Sequence, residues 1–363
     1  MKLLVITQIL DEGDDVLGFM HGWVEEFARQ SEVLDVICLK MGKYSLPQNV
    51  SVFSLGKERG CSRLKYLINF YKYIFKERKN YDAVFVHMNP EYVLLGGFLW
   101  RLLGKNIGLW YAHGYASWHL KIAEKMADII FTSTKSGCRI NSSKIKIVGQ
   151  GIDVNKFRNK SRREVGIPTE ASGNQEIFQI ISVGRISPVK DYGTLISSAE
   201  ILKNLGLSFK VDIVGGVGLR EQEEYLSGLK KIVLDKNLGD VVNFLGPVPN
   251  KGIVDFLRSG DIFVNTSRTG SLDKVILEAM AVELPILTCN EALIPVLKER
   301  AGDLMFGTGD ALGLAHKIEW LMKMPLERRV ALGRELRGMV VRDHGLTSFV
   351  SKIFMEFKMP TNE

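Results

Sequence analysis

The sequence is poor in cysteine and has no long apolar run. Its 363 residues include four cysteines, and none of these forms a Cys-x-x-Cys pair or has the neighbours of a zinc site. Scattered thiols in a chain of this length indicate a reducing compartment. The longest apolar run, residues 92–100, falls far short of the roughly 20 residues that cross a bilayer, and the N-terminal stretch is too short for a signal peptide. We therefore expect a cytoplasmic protein without a metal site, touching a membrane, if at all, from the inner face.

Two common nucleotide-binding signatures are also missing. There is no Walker loop, and the stretch Val214-Gly-Gly-Val-Gly-Leu-Arg-Glu221 has Glu221 where the dinucleotide fingerprint needs its third glycine. These absences argue against a P-loop NTPase and against a dinucleotide-dependent dehydrogenase. What is present is an ordinary globular composition, 46% hydrophobic and 25% charged, at a length that predicts two domains.

Positive charge is concentrated in the first half of the chain. The formal net charge is +7, and residues 1–160 contain 23 basic and 15 acidic residues, so the remainder is nearly neutral. Within residues 57–79 there are eight basic residues and two acidic ones. This excess indicates an anionic partner: a nucleic acid, a membrane surface or a phosphorylated substrate.

Residues 62–79 fit an amphipathic helix. Two interpretations stay open for it: a domain helix with a solvated basic face, or a helix that docks on an anionic membrane. We expect no nucleic-acid partner, because zinc-finger spacing is absent and amphipathicity already explains the one candidate recognition helix. The predicted apolar face comprises Leu64, Leu67, Ile68, Tyr71, Ile74 and Phe75, and the basic face Lys65, Lys72, Lys76 and Lys79.

Strand-like apolar runs alternate with helical patterns along the whole chain, which predicts α/β structure with parallel sheets covered on both faces. The alternation pauses at 153–176 and then restarts. We therefore predict two Rossmann-like, doubly wound domains that face each other across a ligand-binding cleft. The predicted boundaries are a first domain at 1–153, a linker at 154–176, a second domain at 177–345, and a C-terminal helix at 346–363 that is a candidate to cross back to the first domain.

A glycine and two cations follow the first strand of the second series. Gly184 lets the chain leave the strand, and Arg185 and Lys190 then precede a helix that starts near Asp191. Two cations beside a helix N-terminus make an anion site, and phosphate is the usual anion. A surface loop with two solvated charges is the alternative.

A second polar loop leads into a helix near Asp273. Free backbone N–H groups at this helix start could bind phosphate oxygens. Glu278 follows inside the apolar stretch Val-Ile-Leu-Glu-Ala-Met-Ala, and a buried carboxylate needs a partner. Two ribose hydroxyls would satisfy it, and so would a salt bridge on the helix.

These two segments resemble glycosyltransferase family 4, the glycosyl transferases group 1, which are retaining, metal-independent nucleotide-sugar transferases with the GT-B fold of two Rossmann-like domains. The resemblance is dense over residues 145–300. Further matching stretches are Gln150-Gly-Ile-Asp153 with Phe157, Val242-Asn-Phe-Leu-Gly246, and Leu284-Pro-Ile-Leu.

The resemblance implies a role for each matching residue. Arg185 and Lys190 would neutralise the donor diphosphate as it leaves, and Glu278 would bind the ribose hydroxyls. His113, at the end of a strand, would lie near the sugar as the family's active-site histidine. The remaining donor-binding positions are Gly18 and Gly184 near the diphosphate, Gly246, Pro247 and Val248 at the base, and Leu272, Asp273 and Lys274 at phosphate and sugar.

Three departures from the family pattern bear on the sugar. The family has two glutamates eight residues apart; Glu278 is the second, but the first falls on Gly270, and Asp273 is the one nearby carboxylate that could replace it. The family's Gly-Gly pair after the Leu-Pro turn is Ala292-Leu293 here. The first loop reads Val-Leu before Gly18 instead of carrying a Gly-Gly pair.

The resemblance thus implies a retaining hexosyltransferase that needs no metal or cofactor. It would move a sugar from a UDP- or GDP-linked donor to a glycan or lipid-linked acceptor in cell-envelope polysaccharide or glycolipid synthesis. A catalytically weak nucleotide-sugar binding module and a sugar-nucleotide epimerase of the same fold are the alternatives.

Overall fold

A computed structural model describes residues 1–14, 16–157, 177–268 and 270–359. The chain divides into two units, one made of Met1–Asp153 and Asp343–Glu363 and the other of Val154–Arg342. Most of the predicted linker, residues 158–176, lies outside the described residues. The first four residues of the predicted linker, 154–157, belong to the second unit.

The strands of the described chain form one sheet in each unit. Those of the first unit are β1 (Lys2–Leu10), β2 (Val33–Met41), β3 (Val50–Ser54), β4 (Ala83–His87), β5 (Asn106–Trp110), β6 (Ile129–Thr132) and β7 (Ile145–Ile147). Those of the second unit are β8 (Phe178–Val183), β9 (Phe209–Val214), β10 (Val242–Gly246), β11 (Ile262–Asn265) and β12 (Ile286–Thr288).

Helices connect these strands. The first unit contains α1 (Phe19–Gln30), α2 (Arg63–Lys76), α3 (Pro90–Leu102) and α4 (Trp118–Met126). The second contains α5 (Tyr192–Asn204), α6 (Arg220–Asp235), α7 (Asn250–Ser259), α8 (Lys274–Ala281), α9 (Ile294–Leu297), α10 (Ala301–Leu304) and α11 (Ala311–Lys323). Helix α12 (Leu326–His344) ends in the first unit, and α13 (Leu346–Lys358) belongs to it.

The first sheet is covered on both faces. Its order is β3-β2-β1-β4-β5-β6-β7, and every neighbouring pair is parallel. Alternate residues of β1 point to opposite faces: Val5 joins the core that α1 and α13 cover, and Ile6 joins the core beneath α2, α3 and α4. Burial on both faces explains why the central strands are mostly apolar.

The Gln150-Gly-Ile-Asp stretch packs against the returning chain. The backbone N–H of Ile152 donates to the His344 carbonyl, and that of Leu346 donates to the Ile152 carbonyl, both at 2.8 Å. Gly151 has φ +65°, and a Cβ there would lie within 2.9 Å of Trp23 and 2.8 Å of Phe349. The glycine of this motif is therefore required by packing in the first unit.

The second sheet has the order β10-β9-β8-β11-β12, again with parallel neighbours. Strand β8 lies at its centre, so the loop after β8 emerges in the middle of the carboxyl edge. Both sheets and their helical connections confirm the predicted pair of Rossmann-like α/β domains.

Helix α2 buries a different side from the one that the sequence predicts. Asn69, Phe70 and Ile74 are its buried residues, and the Asn69 amide donates to the Leu55 carbonyl at 3.0 Å. Of the predicted apolar face, Ile74 is buried and Leu67 is partly buried. The other four members, Leu64, Ile68, Tyr71 and Phe75, are exposed.

Candidate active site in the second unit

Three strand ends meet closely at the carboxyl edge of the second sheet. The N–H of Gly184 donates to the Val214 carbonyl, and the N–H of Gly215 donates to the Gly246 carbonyl, both at 2.9 Å. A Cβ on Gly215 would lie 1.9 Å from the Gly184 oxygen, a distance no side chain tolerates. The glycines at the ends of β8 and β9 therefore let the loops after these strands lie side by side.

The two predicted cations have different surroundings. Arg185 is exposed and makes no hydrogen bond or ion pair in the part of the chain that the structure describes. Lys190, in the turn before α5, is largely buried, and its Nζ donates to Asp273 Oδ2 at 2.8 Å and to Ser267 Oγ at 3.4 Å. The structure thus fixes the Lys190 ammonium and leaves the Arg185 guanidinium in solvent.

A polar network surrounds the Lys190 ion pair. Asp273 Oδ2 also accepts from Asn265 Nδ2 at 3.1 Å. Asn265 Oδ1 in turn accepts from the Ser267 N–H at 3.2 Å and from Thr288 Oγ at 3.3 Å. Sequence reasoning missed Asn265 and Thr288, although each is a polar residue that ends an apolar strand, and that pattern could have identified them.

A second ion pair joins the loop after β8 to the loop after β11. Asp191 Oδ2 accepts from Arg268 Nε at 2.9 Å and from Thr194 Oγ1 at 2.7 Å. The Arg268 N–H donates to the Val189 carbonyl at 2.9 Å. Asp191, at φ +46°, therefore anchors both loops. Arg268 is a further cation at this edge that sequence reasoning did not select.

The loop before α8 has a conformation suited to glycine. Gly270 has φ +64°, in the left-handed region that other residues rarely adopt. Leu272 is buried, and the Ser271 carbonyl accepts from Asn290 Nδ2 at 2.7 Å. The position where the family has its first glutamate is thus occupied by a glycine in the left-handed conformation.

Glu278 lies near two ammonium groups. Its side chain is 14% exposed, and Lys274 Nζ lies 4.0 Å from its Oε1. Burial raises the pKa of the Glu278 carboxyl, and the charges of Lys274 and Lys156 oppose that rise. A carboxylate held in this way can accept hydrogen bonds from hydroxyl groups.

The predicted base loop follows β10. Gly246 turns the chain at φ +76°, and Pro247 beyond it is exposed while Val248 is partly buried. The Gly246 carbonyl pairs with Gly215, so this loop is attached to the same carboxyl edge as Lys190.

The first unit contains the other two predicted residues. Gly18 begins α1, and a Cβ there would lie 2.5 Å from the Asp14 carbonyl oxygen, so the site accepts only glycine. His113 is exposed, and its Nδ1 accepts from the Tyr115 N–H at 3.1 Å. Because Nδ1 accepts this bond, the hydrogen of the ring lies on Nε2.

The structure thus brings together Lys190, Asp273 and Gly184, and separately Lys274 and Glu278 on the first turns of α8. It leaves Arg185 without contacts to either group in the described residues. Within those residues, no cluster of three His, Cys, Asp or Glu side chains could bind a metal ion. The helices found there are all too short or too polar to cross a membrane.

Curated proteins that match the chain are glycosyltransferases. The amylovoran biosynthesis glycosyltransferase AmsK of Erwinia amylovora is 32% identical over 181 residues, 48% of this chain and 41% of that protein. The putative colanic acid biosynthesis glycosyltransferase WcaL of Escherichia coli is 27% identical over 217 residues, 58% of this chain and 49% of that protein. The chain thus spans less than half the length of these relatives.

Solved structures share the fold along nearly the whole chain. HepE from Anabaena, in complex with UDP and glucose, matches with a TM-score of 0.75 at 15% identity, covering 99% of this chain and 100% of that one. Sucrose-phosphate synthase from Thermosynechococcus elongatus matches with a TM-score of 0.75 at 16% identity, covering 99% and 98%. This similarity confirms the GT-B fold class.

A family model matches most of the second unit. The model of the glycosyl transferases group 1 matches residues 169–339, a segment that contains Lys190, Asp273, Glu278 and the whole second sheet. The similarity to the glycosyl transferases group 1 therefore covers residues 169–339, which is just under half of the chain.

Proposed function

We propose that the protein is a retaining, metal-independent glycosyltransferase. It moves a hexose-type sugar from a UDP- or GDP-linked donor to a glycan or lipid-linked acceptor in cell-envelope polysaccharide or glycolipid synthesis, and it uses no cofactor. The family match, the names of the relatives and the UDP bound to HepE support this proposal. The four free cysteines suit a cytoplasmic location.

The observation that carries the proposal is the fixed Lys190 ammonium at the carboxyl edge of the second sheet. A cation held in place before the reaction stabilises negative charge that develops on a leaving diphosphate without a reorganisation cost. Asp273 directly precedes α8, and the first backbone N–H groups of this helix add the partial positive charge of a helix N-terminus. Arg185, exposed and unpaired in the described residues, is the second cation proposed for the diphosphate.

The remaining residues have proposed roles in donor binding. Glu278 accepts hydrogen bonds from the ribose hydroxyls, and Gly246, Pro247 and Val248 line the base. His113 and Gly18 in the first unit have the roles that the family resemblance implies, at the sugar and at the diphosphate. The Nε2–H of His113 is then a hydrogen-bond donor toward the sugar.

Release of nucleoside diphosphate from a panel of UDP- and GDP-sugars, with and without a chelator, tests the proposal. For the donor that is turned over, we expect Lys190→Ala to lower kcat by about 10²- to 10³-fold, as loss of one oxyanion donor does. Lys231→Ala is the matched control, because Lys231 is an exposed lysine paired with Asp235 on α6. Equal turnover by Lys190→Ala and wild type would remove Lys190 from the mechanism.

The same assay separates the two alternatives. Binding of a nucleotide sugar without release of nucleoside diphosphate would favour a weak or silent binding module, for which Gly270 is the structural argument. Conversion of the donor into an isomeric nucleotide sugar would favour an epimerase.

A further inference from the structure

Exposed apolar side chains form a continuous stripe along α2. Leu64, Ile68, Tyr71 and Phe75 follow one another at intervals of four, three and four residues, which places them on one side of a helix. Leu64 and Phe75 are 67% and 53% exposed. The opposite side of α2, with Phe70 and Ile74, already packs on the sheet, so the exposed stripe is not needed for the core.

Helix α3 extends this stripe. Leu95, Phe98 and Leu102 lie on one side of α3, and Phe98 and Leu102 are 70% and 69% exposed. The Tyr71 hydroxyl donates to the Leu95 carbonyl at 2.9 Å, which joins the two helices at the surface. We call these exposed side chains the α2–α3 ridge: Leu64, Ile68, Tyr71, Phe75, Leu95, Phe98 and Leu102.

Cations flank the ridge. Lys65, Lys72 and Lys76 are exposed and repeat along α2 next to the apolar stripe. Arg78 stacks on Phe75, with its guanidinium carbon 4.3 Å from the ring centre. Because residues 57–79 hold eight basic and two acidic residues, this surface combines exposed apolar groups with a strong positive charge.

From this combination we infer that the α2–α3 ridge docks the first unit on an anionic membrane surface. Apolar side chains inserted at the headgroup boundary with lysines beside them are the arrangement of interfacial helices, and each cation adds attraction to anionic lipid. A second copy of the chain is a poorer occupant, since two such surfaces would repel. A nucleic acid is a poorer occupant as well, because four of the seven ridge side chains, Leu64, Ile68, Leu95 and Leu102, are aliphatic and offer no flat face on which bases could stack.

The inference depends on this surface alone and not on sugar transfer. Its test is co-sedimentation of the full chain with vesicles of phosphatidylcholine, with and without phosphatidylglycerol, at low and high salt. We expect binding to the anionic vesicles that is about tenfold or more tighter than to neutral ones and that weakens with salt. Equal binding to both, or none to anionic vesicles at low salt, would overturn the inference.

Two groups of substitutions assign the binding to the ridge. Charge reversal by K65E, K72E and K76E and polar replacement by I68S, F75S and F98S should each reduce binding about tenfold or more. The matched control is K230E, K231E and L234S, which changes exposed side chains of α6 in the second unit. Retained binding in either ridge group, or equal loss in the control, would contradict the assignment.

Two further measurements separate the other occupants. All variants are compared by circular dichroism and by thermal unfolding, so that a misfolded protein is recognised. A dimer in light scattering that F98S dissociates would assign the ridge to a second copy, and an electrophoretic shift of DNA that survives 0.2 M salt would assign it to nucleic acid. Either result would overturn membrane docking.

Discussion

The side chain that holds Lys190 is the one proposed from sequence to replace a sugar-binding glutamate. Asp273 Oδ2 accepts from both Lys190 and Asn265, so in the ligand-free chain it is a counterion within a buried network. A diphosphate that binds Lys190 would compete with this carboxylate. The Lys190–Asp273 ion pair therefore holds the ammonium group in place, and a diphosphate must compete with Asp273 in order to bind that group.

We predict that Asp273→Asn destabilises the ligand-free second unit and enlarges its thermal shift with nucleoside diphosphate. Removing one partner of a largely buried ion pair leaves the other charge uncompensated, which costs about 3 kcal/mol, and the bound diphosphate then supplies the missing negative charge. Differential scanning calorimetry measures both effects. Asp235→Asn, which removes an exposed partner of Lys231, should change neither, and a smaller diphosphate shift in Asp273→Asn would contradict the counterion role.

At Gly270 the absence of the family's glutamate side chain coincides with a left-handed backbone. At φ +64° a glutamate would adopt a left-handed conformation that costs about 1–2 kcal/mol. We therefore expect that restoring the family's carboxylate at this position would strain the loop.

At the scale of elements, close contact between strand ends shapes the donor edge. Gly215→Ala places a methyl group against the Gly184 carbonyl, and we predict a loss of about 1–3 kcal/mol in the stability of the second unit from this overpacking. Diphosphate binding should weaken as well, because Arg185 and Lys190 follow the displaced loop. Chemical denaturation and calorimetry measure the two effects.

The neighbouring glycine Gly218 supplies the control for this substitution. A Cβ there would meet nothing closer than 3.9 Å, so Gly218→Ala should keep both stability and binding. Equal behaviour of the two variants would show that the approach of the β8 and β9 loops does not matter for the site.

Apolar strand-like runs in the sequence predicted the five inner strands of the first sheet and all five strands of the second, and they missed the two edge strands of the first sheet. β1, β4, β8 and β11 are mostly apolar because both of their faces are largely buried. β3 and β7 lie at the two edges of the first sheet, where half of the backbone faces solvent and apolar residues are not required. Their mixed sequences, VSVFS and IKI, carry too little signal.

The site was predictable in its residue types but not in its pairings. A strand end, a cation and a helix start indicated Gly184, Lys190 and Asp273 from sequence. Lys190 pairs with Asp273 because two loops about 80 residues apart in the sequence come into contact, while Arg185 stays in solvent. Sequence patterns do not show how these loops are arranged. Likewise, the apolar periodicity of α2 could not reveal which of its sides the sheet would cover.

For the whole molecule, the returning chain brings a buried histidine into the first unit. His344 follows Asp343, packs near Gly149, and is 5% exposed. Burial lowers its pKa to about 4, with Asp343 opposing and Lys352 reinforcing the shift. The folded protein therefore excludes the charged imidazole that the unfolded chain accepts at about pH 6.5.

We predict that acid destabilises the first unit through His344. Because the folded pKa lies below the unfolded one, the contribution of His344 to stability is constant above about pH 6.5 and falls as the pH drops toward 4. Between pH 7 and pH 5 the wild type should lose about 2 kcal/mol more than His344→Gln. Urea denaturation at both pH values measures this difference, and parallel losses would contradict it.

The comparison with a variant is necessary because Asp35 titrates in the opposite sense. Burial, aided by the charge of Glu77, raises the pKa of the Asp35 carboxyl to about 7. A raised carboxyl pKa contributes stability at low pH that is lost as the pH rises from about 4 to 7. The difference between wild type and His344→Gln cancels this contribution.

The central claim is that the second unit binds a nucleoside diphosphate through Lys190 and Glu278. Titration calorimetry with UDP, GDP, uridine and guanosine tests it most directly. We predict that one diphosphate binds, that Lys190→Ala weakens the diphosphate more than its nucleoside, and that Glu278→Gln weakens both, while Glu299→Gln, at an exposed position, changes neither. No binding of either diphosphate, or equal affinities in wild type and Lys190→Ala, would contradict the claim.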